Sequence, residues 1–143
     1  MKLLLTGGAG FIGSHTAFLL LQRGYDVIIY DSFVNSSYKV IKAIKSYLDS
    51  VGIDYKLKTI EGDIRDKSSL GKIFKDSTKE GNPIQSVIHF AGLKSVSEFA
   101  KYSLDYWDMK VCATINLLEI MKDNECYSII LALVPLFKAY QTK

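Results

Sequence analysis

The chain has 143 residues, which is enough for one domain with its own hydrophobic core. Its 48% hydrophobic and 23% charged residues are typical of globular proteins and exclude an intrinsically disordered chain. The net charge is only +3 and the lysines are spread along the sequence, so we expect neither nucleic acid nor a membrane as a partner. Two isolated cysteines without metal-ligand spacing favour a cytoplasmic location and no metal site.

Apolar runs alternate with helical patterns, an order that predicts βαβ units around a parallel sheet. The predicted strands are about 2–6, 26–30, 55–60 and 86–90, with a fifth that begins near Tyr127. The predicted helices are about 11–23, one carrying Val40, Ile41, Ile44, Tyr47 and Leu48, one carrying Leu70, Ile73 and Phe74, and one over 103–122. We therefore predict the α/β class: a Rossmann-like, doubly wound parallel sheet that is truncated after about five strands.

A glycine-rich turn joins the first predicted strand to the first helix. Gly7, Gly10 and Gly13 follow a short apolar run, and a helical pattern begins at once after them. Glycine admits a close approach of backbone to a pyrophosphate, and the amides at a helix start attract an anion. Strand, glycine turn and helix together predict a dinucleotide-phosphate site.

Two aspartates follow the second and third strands. A carboxylate at Asp31 is placed to accept hydrogen bonds from ribose hydroxyls, and residues 32–37 contain no arginine for a 2′-phosphate. The Asp31 carboxylate and the lack of an arginine in this loop together favour NAD over NADP. The alternative for Asp31 is an aspartate that caps a helix or stabilises a turn. Asp63 is a candidate for the adenine amino group, with Ile64 packing on the ring. The alternative for Asp63 is a cap for the next helix, a role that Asp66 or Ser68 also fits.

Other polar residues invite a catalytic interpretation that the spacing does not favour. We expect His15 and His89 to be hydrogen-bonded packing residues rather than acids or bases. Tyr106 and Lys110 spell Tyr-x-x-x-Lys, the dyad of short-chain dehydrogenases, but they precede the fifth strand instead of following it. We therefore expect Tyr106 to pack or to lie on the helix surface. No catalytic residue is predicted within the chain.

Four segments carry a resemblance to the extended short-chain dehydrogenases/reductases and, among them, to the UDP-glucose 4-epimerases. They are residues 5–16 (LTGGAGFIGSHT), 35–36 (NS), 61–65 (EGDIR) and 87–94 (VIHFAGLK). The resemblance implies an NAD cofactor, a UDP-sugar substrate and a homodimer. It also implies epimerisation in which NAD⁺ takes a hydride from the sugar and returns it to the other face.

The resemblance also implies roles for individual residues. Phe11 and Ile12 would present backbone to the pyrophosphate. Asn35 and Ser36 would join Asp31 at the adenosine ribose, and Asp63 and Ile64 would frame the adenine. The approach to the nicotinamide half would be lined by Phe90, Ala91 and Lys94. Met109 and Lys110 replace asparagines of the family, one of them close to the cofactor, so that contact is lost.

The resemblance ends near residue 130. We expect residues 1–130 to form an incomplete NAD-binding domain and residues 131–143 to be a divergent tail, without a substrate domain. The family reads Ser-Ser-Ser-Ala-Thr-Val-Tyr-Gly here. Residues 131–137 can be encoded by a set of codons that, read in a shifted frame, gives most of that motif, so we hypothesise that the tail is a frameshifted readout of an epimerase gene. Since the catalytic Ser/Thr and the Tyr-x-x-x-Lys helix are missing, we expect no turnover. The alternatives are a non-catalytic NAD-binding module, a fragment of an NAD-dependent sugar-nucleotide dehydratase, which residues 90–94 disfavour, and a decayed gene product.

Overall fold

A computed structural model describes residues 1–92 and 111–132. Within these ranges all strands pair in parallel and form one sheet in the order β3-β2-β1-β4-β5. The strands are β1 (Lys2–Thr6), β2 (Asp26–Asp31), β3 (Lys56–Glu61), β4 (Ile84–His89) and β5 (Ile129–Leu131). The doubly wound α/β prediction is confirmed. Starting from β1, the chain adds β2 and β3 on one side and then β4 and β5 on the other.

Helices cover both faces of the sheet. They are α1 (Phe11–Gln22), α2 (Tyr38–Ser50), α3 (Lys67–Lys79) and α4 (Ala113–Asp123). One apolar cluster joins α1 and α2 to the sheet through residues such as Leu5, Leu21 and Ile44. A second cluster joins α3 and α4 to the opposite face through residues such as Phe74 and Leu117. Alternate strand residues point to opposite faces, so β1, β2, β3 and β4 each contribute to both clusters.

Local signals explain where the helices begin and what they bury. The Ser37 side chain accepts a hydrogen bond from the Lys39 amide at the start of α2, and Asp66 accepts one from the Ser69 amide at the start of α3. The prediction of Asp66 as a cap is therefore confirmed. Tyr47 has the helical spacing of the other apolar residues of α2, but its side chain is 51% exposed and packs edge-on against Phe18.

The parallel sheet brings four loops to one edge. The carboxyl ends of β2, β1 and β4 lie side by side, and β3 ends next to β2. Of the predicted long helix over 103–122, residues 113–122 belong to α4, and residues 103–110 lie outside the described ranges. No helix in the described ranges is long and apolar enough to cross a membrane.

Candidate cofactor site

The glycine turn after β1 fits tightly against the end of β4. Gly7 has a φ of +67°, and a Cβ built on it would lie 2.7 Å from the Ala91 nitrogen. Its own amide donates to the Tyr30 carbonyl of β2 at 2.8 Å. Gly13 is equally restricted, because its Cβ would lie 2.6 Å from the Gly7 carbonyl oxygen. Only glycine at 7 and 13 allows the turn to pass between the two strands and α1.

The first turn of α1 begins with exposed side chains and has no acidic residue of its own. Gly10 is the N-cap residue and supplies no side-chain hydrogen bond, and the first turn carries no acidic residue. Phe11 and Ile12 are 78% and 51% exposed, so their side chains lie away from the core. A helix start with uncapped amides and a positive dipole end is suited to an anionic group such as a pyrophosphate.

Asp31 is the polar centre of this edge. It is only 8% exposed. One carboxylate oxygen, Oδ2, accepts from the Ala9 amide of the glycine turn at 2.8 Å. The other, Oδ1, accepts from the Phe33 amide at 3.0 Å and from the Ser36 hydroxyl at 2.9 Å. Three donors leave room for another on a carboxylate, which has about four acceptor positions.

The polar loop after β2 holds the other residues predicted for the ribose. Ser36 reaches Asp31, as described, and Asn35 lies exposed on the same loop. Phe33 has a φ of +56° and stacks on Tyr38, with ring centroids 3.8 Å apart. The stack joins the start of this loop to the first residue of α2, and Ser36 lies between the two rings in sequence.

Asp63 follows β3 and is held by Arg65. Its carboxylate accepts from the Arg65 amide at 2.9 Å and from Nε and Nη2 of the same residue. These hydrogen bonds hold the pKa of the Asp63 carboxyl below its usual range. Since Asp66 caps α3, Asp63 remains free of that alternative role. The Ile64 side chain differs from the expectation that it packs on an adenine ring, because it is buried in the core and only 4% exposed.

The end of β4 completes the edge on the other side of the glycine turn. The Phe90 amide donates to the Thr6 carbonyl at 2.8 Å, and Ala91 lies directly against Gly7. These two residues therefore adjoin the glycine turn on its β4 side, and the resemblance expects them to line the approach to the nicotinamide half. Lys94 lies outside the described residues, as do Tyr106 and Lys110.

His89 is a buried packing residue, as expected. It is 1% exposed, and its two ring nitrogens share hydrogen bonds with Thr6 Oγ1 at 2.5 Å and Thr114 Oγ1 at 3.2 Å. Burial lowers its pKa to about 4, so the ring is neutral at pH 7. His15 lies on the exposed surface of α1, where Nδ1 is 2.7 Å from the Phe11 carbonyl oxygen.

Two residues at this edge were missed by the sequence analysis. Tyr30 donates its hydroxyl to the Asp63 carbonyl at 2.8 Å, and Arg65 binds the Asp63 carboxylate. A signal for Tyr30 was present, since strand alternation places it on the face opposite Ile29, towards α3. Its contact with the loop after β3 depends on strand order, which the residues alone did not give.

The sheet order and the glycine turn define a Rossmann-type α/β protein. Comparison with known proteins agrees. The family model described as GDP-mannose 4,6 dehydratase matches residues 4–136. A UDP-glucose 4-epimerase of Klebsiella pneumoniae is 42% identical over 123 residues, which are 85% of this chain and 81% of that protein. The chain belongs to the UDP-glucose 4-epimerase family.

Longer relatives share the same segment. A bifunctional UDP-glucose 4-epimerase and UDP-xylose 4-epimerase of Pisum sativum is 40% identical over 87% of this chain and 34% of its own length. The crystal structure of a Bifidobacterium longum UDP-glucose 4-epimerase with NAD⁺ and UDP superposes with a TM-score of 0.80. It is 37% identical, and the match covers 92% of this chain and 36% of that one. The chain thus spans about a third of the length of these two relatives.

Proposed function

We propose that these residues form the NAD-binding portion of a UDP-glucose 4-epimerase. The observation that carries the proposal is the Asp31 carboxylate, which lies on the Ala9 amide of the glycine turn. This contact joins a ribose acceptor to the glycine turn, whose close backbone packing a Cβ at Gly7 or Gly13 would disrupt. The name of the Klebsiella relative and the NAD⁺ bound in the Bifidobacterium structure support the same assignment.

Each predicted site residue receives a role in this proposal. Gly7, Gly10 and Gly13 admit the pyrophosphate, with the backbone of Phe11 and Ile12 facing it. Asp31, Asn35 and Ser36 hold the adenosine ribose. Asp63 accepts from the adenine amino group, and Ile64 contributes its main-chain amide because its side chain is buried. The residues that adjoin the nicotinamide half are Phe90, Ala91 and Lys94.

We propose that these residues bind NAD without epimerising a sugar. NAD⁺, when bound, supplies the hydride acceptor, but proton transfer at the sugar 4-hydroxyl needs the family's catalytic tyrosine and Ser/Thr. The segment after β5 does not carry the family's Ser-Ser-Ala-Thr motif. Residues 1–130 are therefore proposed as the NAD-binding domain, and residues 131–143 as a divergent tail compatible with a shifted frame. Sequencing the codons for residues 130–138 tests the tail, and codons that do not encode the motif in another frame would contradict it.

Partners and location follow the same assignment. A UDP-sugar and a second copy of the chain are partners proposed from the family resemblance, and the two unpaired cysteines support a cytoplasmic location. The model described as GDP-mannose 4,6 dehydratase keeps a second candidate, the NAD-binding portion of a sugar-nucleotide dehydratase. The test of this candidate is to express the protein from a repaired full-length reading frame and to incubate it with UDP-glucose and with GDP-mannose. UDP-galactose as product supports the epimerase, and a 4-keto-6-deoxy sugar supports the dehydratase.

Calorimetric titration of the 143-residue chain with NAD and NADP tests the binding proposal. We expect NAD to bind more tightly, because the buried Asp31 carboxylate repels a 2′-phosphate. Asp31→Asn keeps an acceptor for the Ala9 amide but removes the charge, and we expect NAD affinity to fall by about tenfold or more. The matched control is Asp54→Asn, outside this edge of the sheet. Equal affinity for NAD and NADP in the unchanged chain would contradict the assignment of Asp31.

A further inference from the structure

Tyr30 packs against the loop that follows β3 and carries Asp63. The residue lies on β2 immediately before Asp31, and its side chain is 1% exposed. Its hydroxyl donates to the Asp63 carbonyl at 2.8 Å. Its ring fills the space beside Gly62, where a Cβ would lie 2.4 Å from Cε2 and from the hydroxyl oxygen. The position of this loop relative to β2 is therefore constrained by the Tyr30 ring and hydroxyl.

Arg65 sets the direction of the Asp63 carboxylate. Its amide and Nε donate to Oδ1 at 2.9 and 3.0 Å, and Nε and Nη2 donate to Oδ2 at 3.1 and 2.5 Å. A guanidinium that contacts both oxygens holds a carboxylate in one plane, which a single point charge does not do. The single Nε proton is shared between the two oxygens, so these three donors occupy about three of the four acceptor positions of the carboxylate.

We infer that Tyr30 and Arg65 are positioning residues that aim this remaining acceptor at the base of the dinucleotide, so that the site selects adenine over hypoxanthine. The inference rests on the proposed NAD site. Adenine offers an exocyclic amino donor, whereas hypoxanthine has a carbonyl oxygen at the same place, which a carboxylate repels. A carboxylate held in one position accepts from the adenine amino group and repels the hypoxanthine oxygen. A carboxylate that rotates freely also forms hydrogen bonds with water, and it therefore discriminates less between the two bases.

The selectivity of the unchanged chain is the first quantity to measure. The probes are NAD and its deaminated analogue, nicotinamide hypoxanthine dinucleotide, and both dissociation constants are obtained by calorimetric titration. We expect NAD to bind about tenfold more tightly or better, as for a hydrogen bond to a charged acceptor. Asp63→Asn should abolish or invert this ratio, because its amide group donates to the hypoxanthine oxygen.

Tyr30→Phe and Arg65→Gln then test the two positioning residues. We expect each to lower the ratio to about threefold or less, since Tyr30→Phe removes the hydroxyl contact with the Asp63 carbonyl and Arg65→Gln removes the guanidinium contacts with its carboxylate. Tyr47→Phe, on the half-exposed surface of α2, is the matched control and should leave the ratio unchanged. A purely structural role would weaken both dinucleotides equally and would not move the ratio. If Tyr30→Phe does not fold, the exposed Arg65→Gln decides the question alone.

The possible failures are distinguishable. A ratio that survives both Tyr30→Phe and Arg65→Gln, but is lost in Asp63→Asn, overturns the inference and leaves the proposed function intact. An unchanged chain that binds both dinucleotides equally overturns the inference, because the base is then not selected. An unchanged chain that binds neither dinucleotide overturns the proposed function and the inference together.

Discussion

At the scale of single residues, Asp31 organises the edge of the sheet as well as offering an acceptor to ribose. Its carboxylate binds the glycine turn through Ala9 and its own loop through Phe33 and Ser36. These contacts are made by protein groups alone, and they place the two loops relative to each other. A site organised in advance loses less conformational entropy when a dinucleotide binds.

Gly7→Ala tests the close approach of the glycine turn to β4. The positive φ costs about 1 kcal/mol for alanine, and the overlap with the Ala91 backbone adds about 1–3 kcal/mol. We expect a lower free energy of unfolding in urea and no measurable NAD binding. Gly24→Ala is the control, because Gly24 has a φ of +78° and open space around its Cβ position. Equal destabilisation by the two substitutions would show that the contact with Ala91 does not matter.

At the scale of elements, the start of α1 supplies the charge complementarity of the site. Gly10 leaves the first turn without a side-chain cap. By contrast α2 and α3 are capped by Ser37 and Asp66. An uncapped helix start is less stable by itself, and an anionic ligand that binds there satisfies the same amides.

Gly10→Asp places a permanent anion at this helix start. The carboxylate should cap α1 and repel a pyrophosphate, so we expect NAD affinity to fall by about a hundredfold while the chain stays folded. Gln22→Glu adds the same charge at the exposed far end of α1 and should leave NAD affinity unchanged. Titration by calorimetry at low salt compares the variants. If both variants bind NAD equally, the pyrophosphate does not lie at the start of α1.

The β4 strand makes stability depend on pH through His89. The unfolded chain binds a proton near the ordinary pKa of 6.5, and the folded chain does so only near the lowered pKa of about 4. The contribution of neutral His89 to the free energy of unfolding is therefore fully present above pH 6.5, and about 3 kcal/mol of it is lost as the pH drops to 4. We expect His89→Gln to remove this part of the pH dependence in urea unfolding, and His15→Gln, on the exposed face of α1, to retain it. If the free energy of unfolding of His89→Gln depends on pH as steeply as that of the unchanged chain, His89 is not the cause of the pH dependence.

The sequence was sufficient for the elements and for the glycine turn, because period and turn chemistry are local signals. The bounds of β1 and the start of α1 agree with the prediction, and the buried face of α3 carries the expected Leu70, Ile73 and Phe74. The contact of the Asp63 carbonyl with the Tyr30 hydroxyl was not predictable in the same way. Tyr30 is 33 residues away in sequence and is brought near by the pairing of β2 with β3.

At the scale of the whole molecule, β5 is the least covered part of the described sheet. Within the described residues it pairs with β4 alone, and Ile130 and Leu131 are 59% and 41% exposed. Tyr127, just before the strand, is 79% exposed. Apolar side chains on an edge strand promote association with other chains.

Ile130→Lys should reduce self-association of the chain. We expect the unchanged protein to sediment partly as dimers or larger species at concentrations of about 100 μM, and Ile130→Lys to shift it towards monomer. Val51→Lys introduces the same charge after α2, at a site of similar exposure, and should not change sedimentation. Analytical ultracentrifugation measures the distribution. A monomeric unchanged chain at this concentration would contradict the expectation.

The central claim is that NAD binds along the carboxyl edge of the sheet, and titration of the ¹⁵N-labelled chain with NAD followed by NMR tests it most directly. We expect the largest amide shifts in residues 7–13, 31–36, 63–64 and 90–91, with little change at the opposite edge around Gly24 and Gly81. Saturable shifts confined to these loops would support the account. No shifts at millimolar NAD, or shifts centred on another surface, would contradict it.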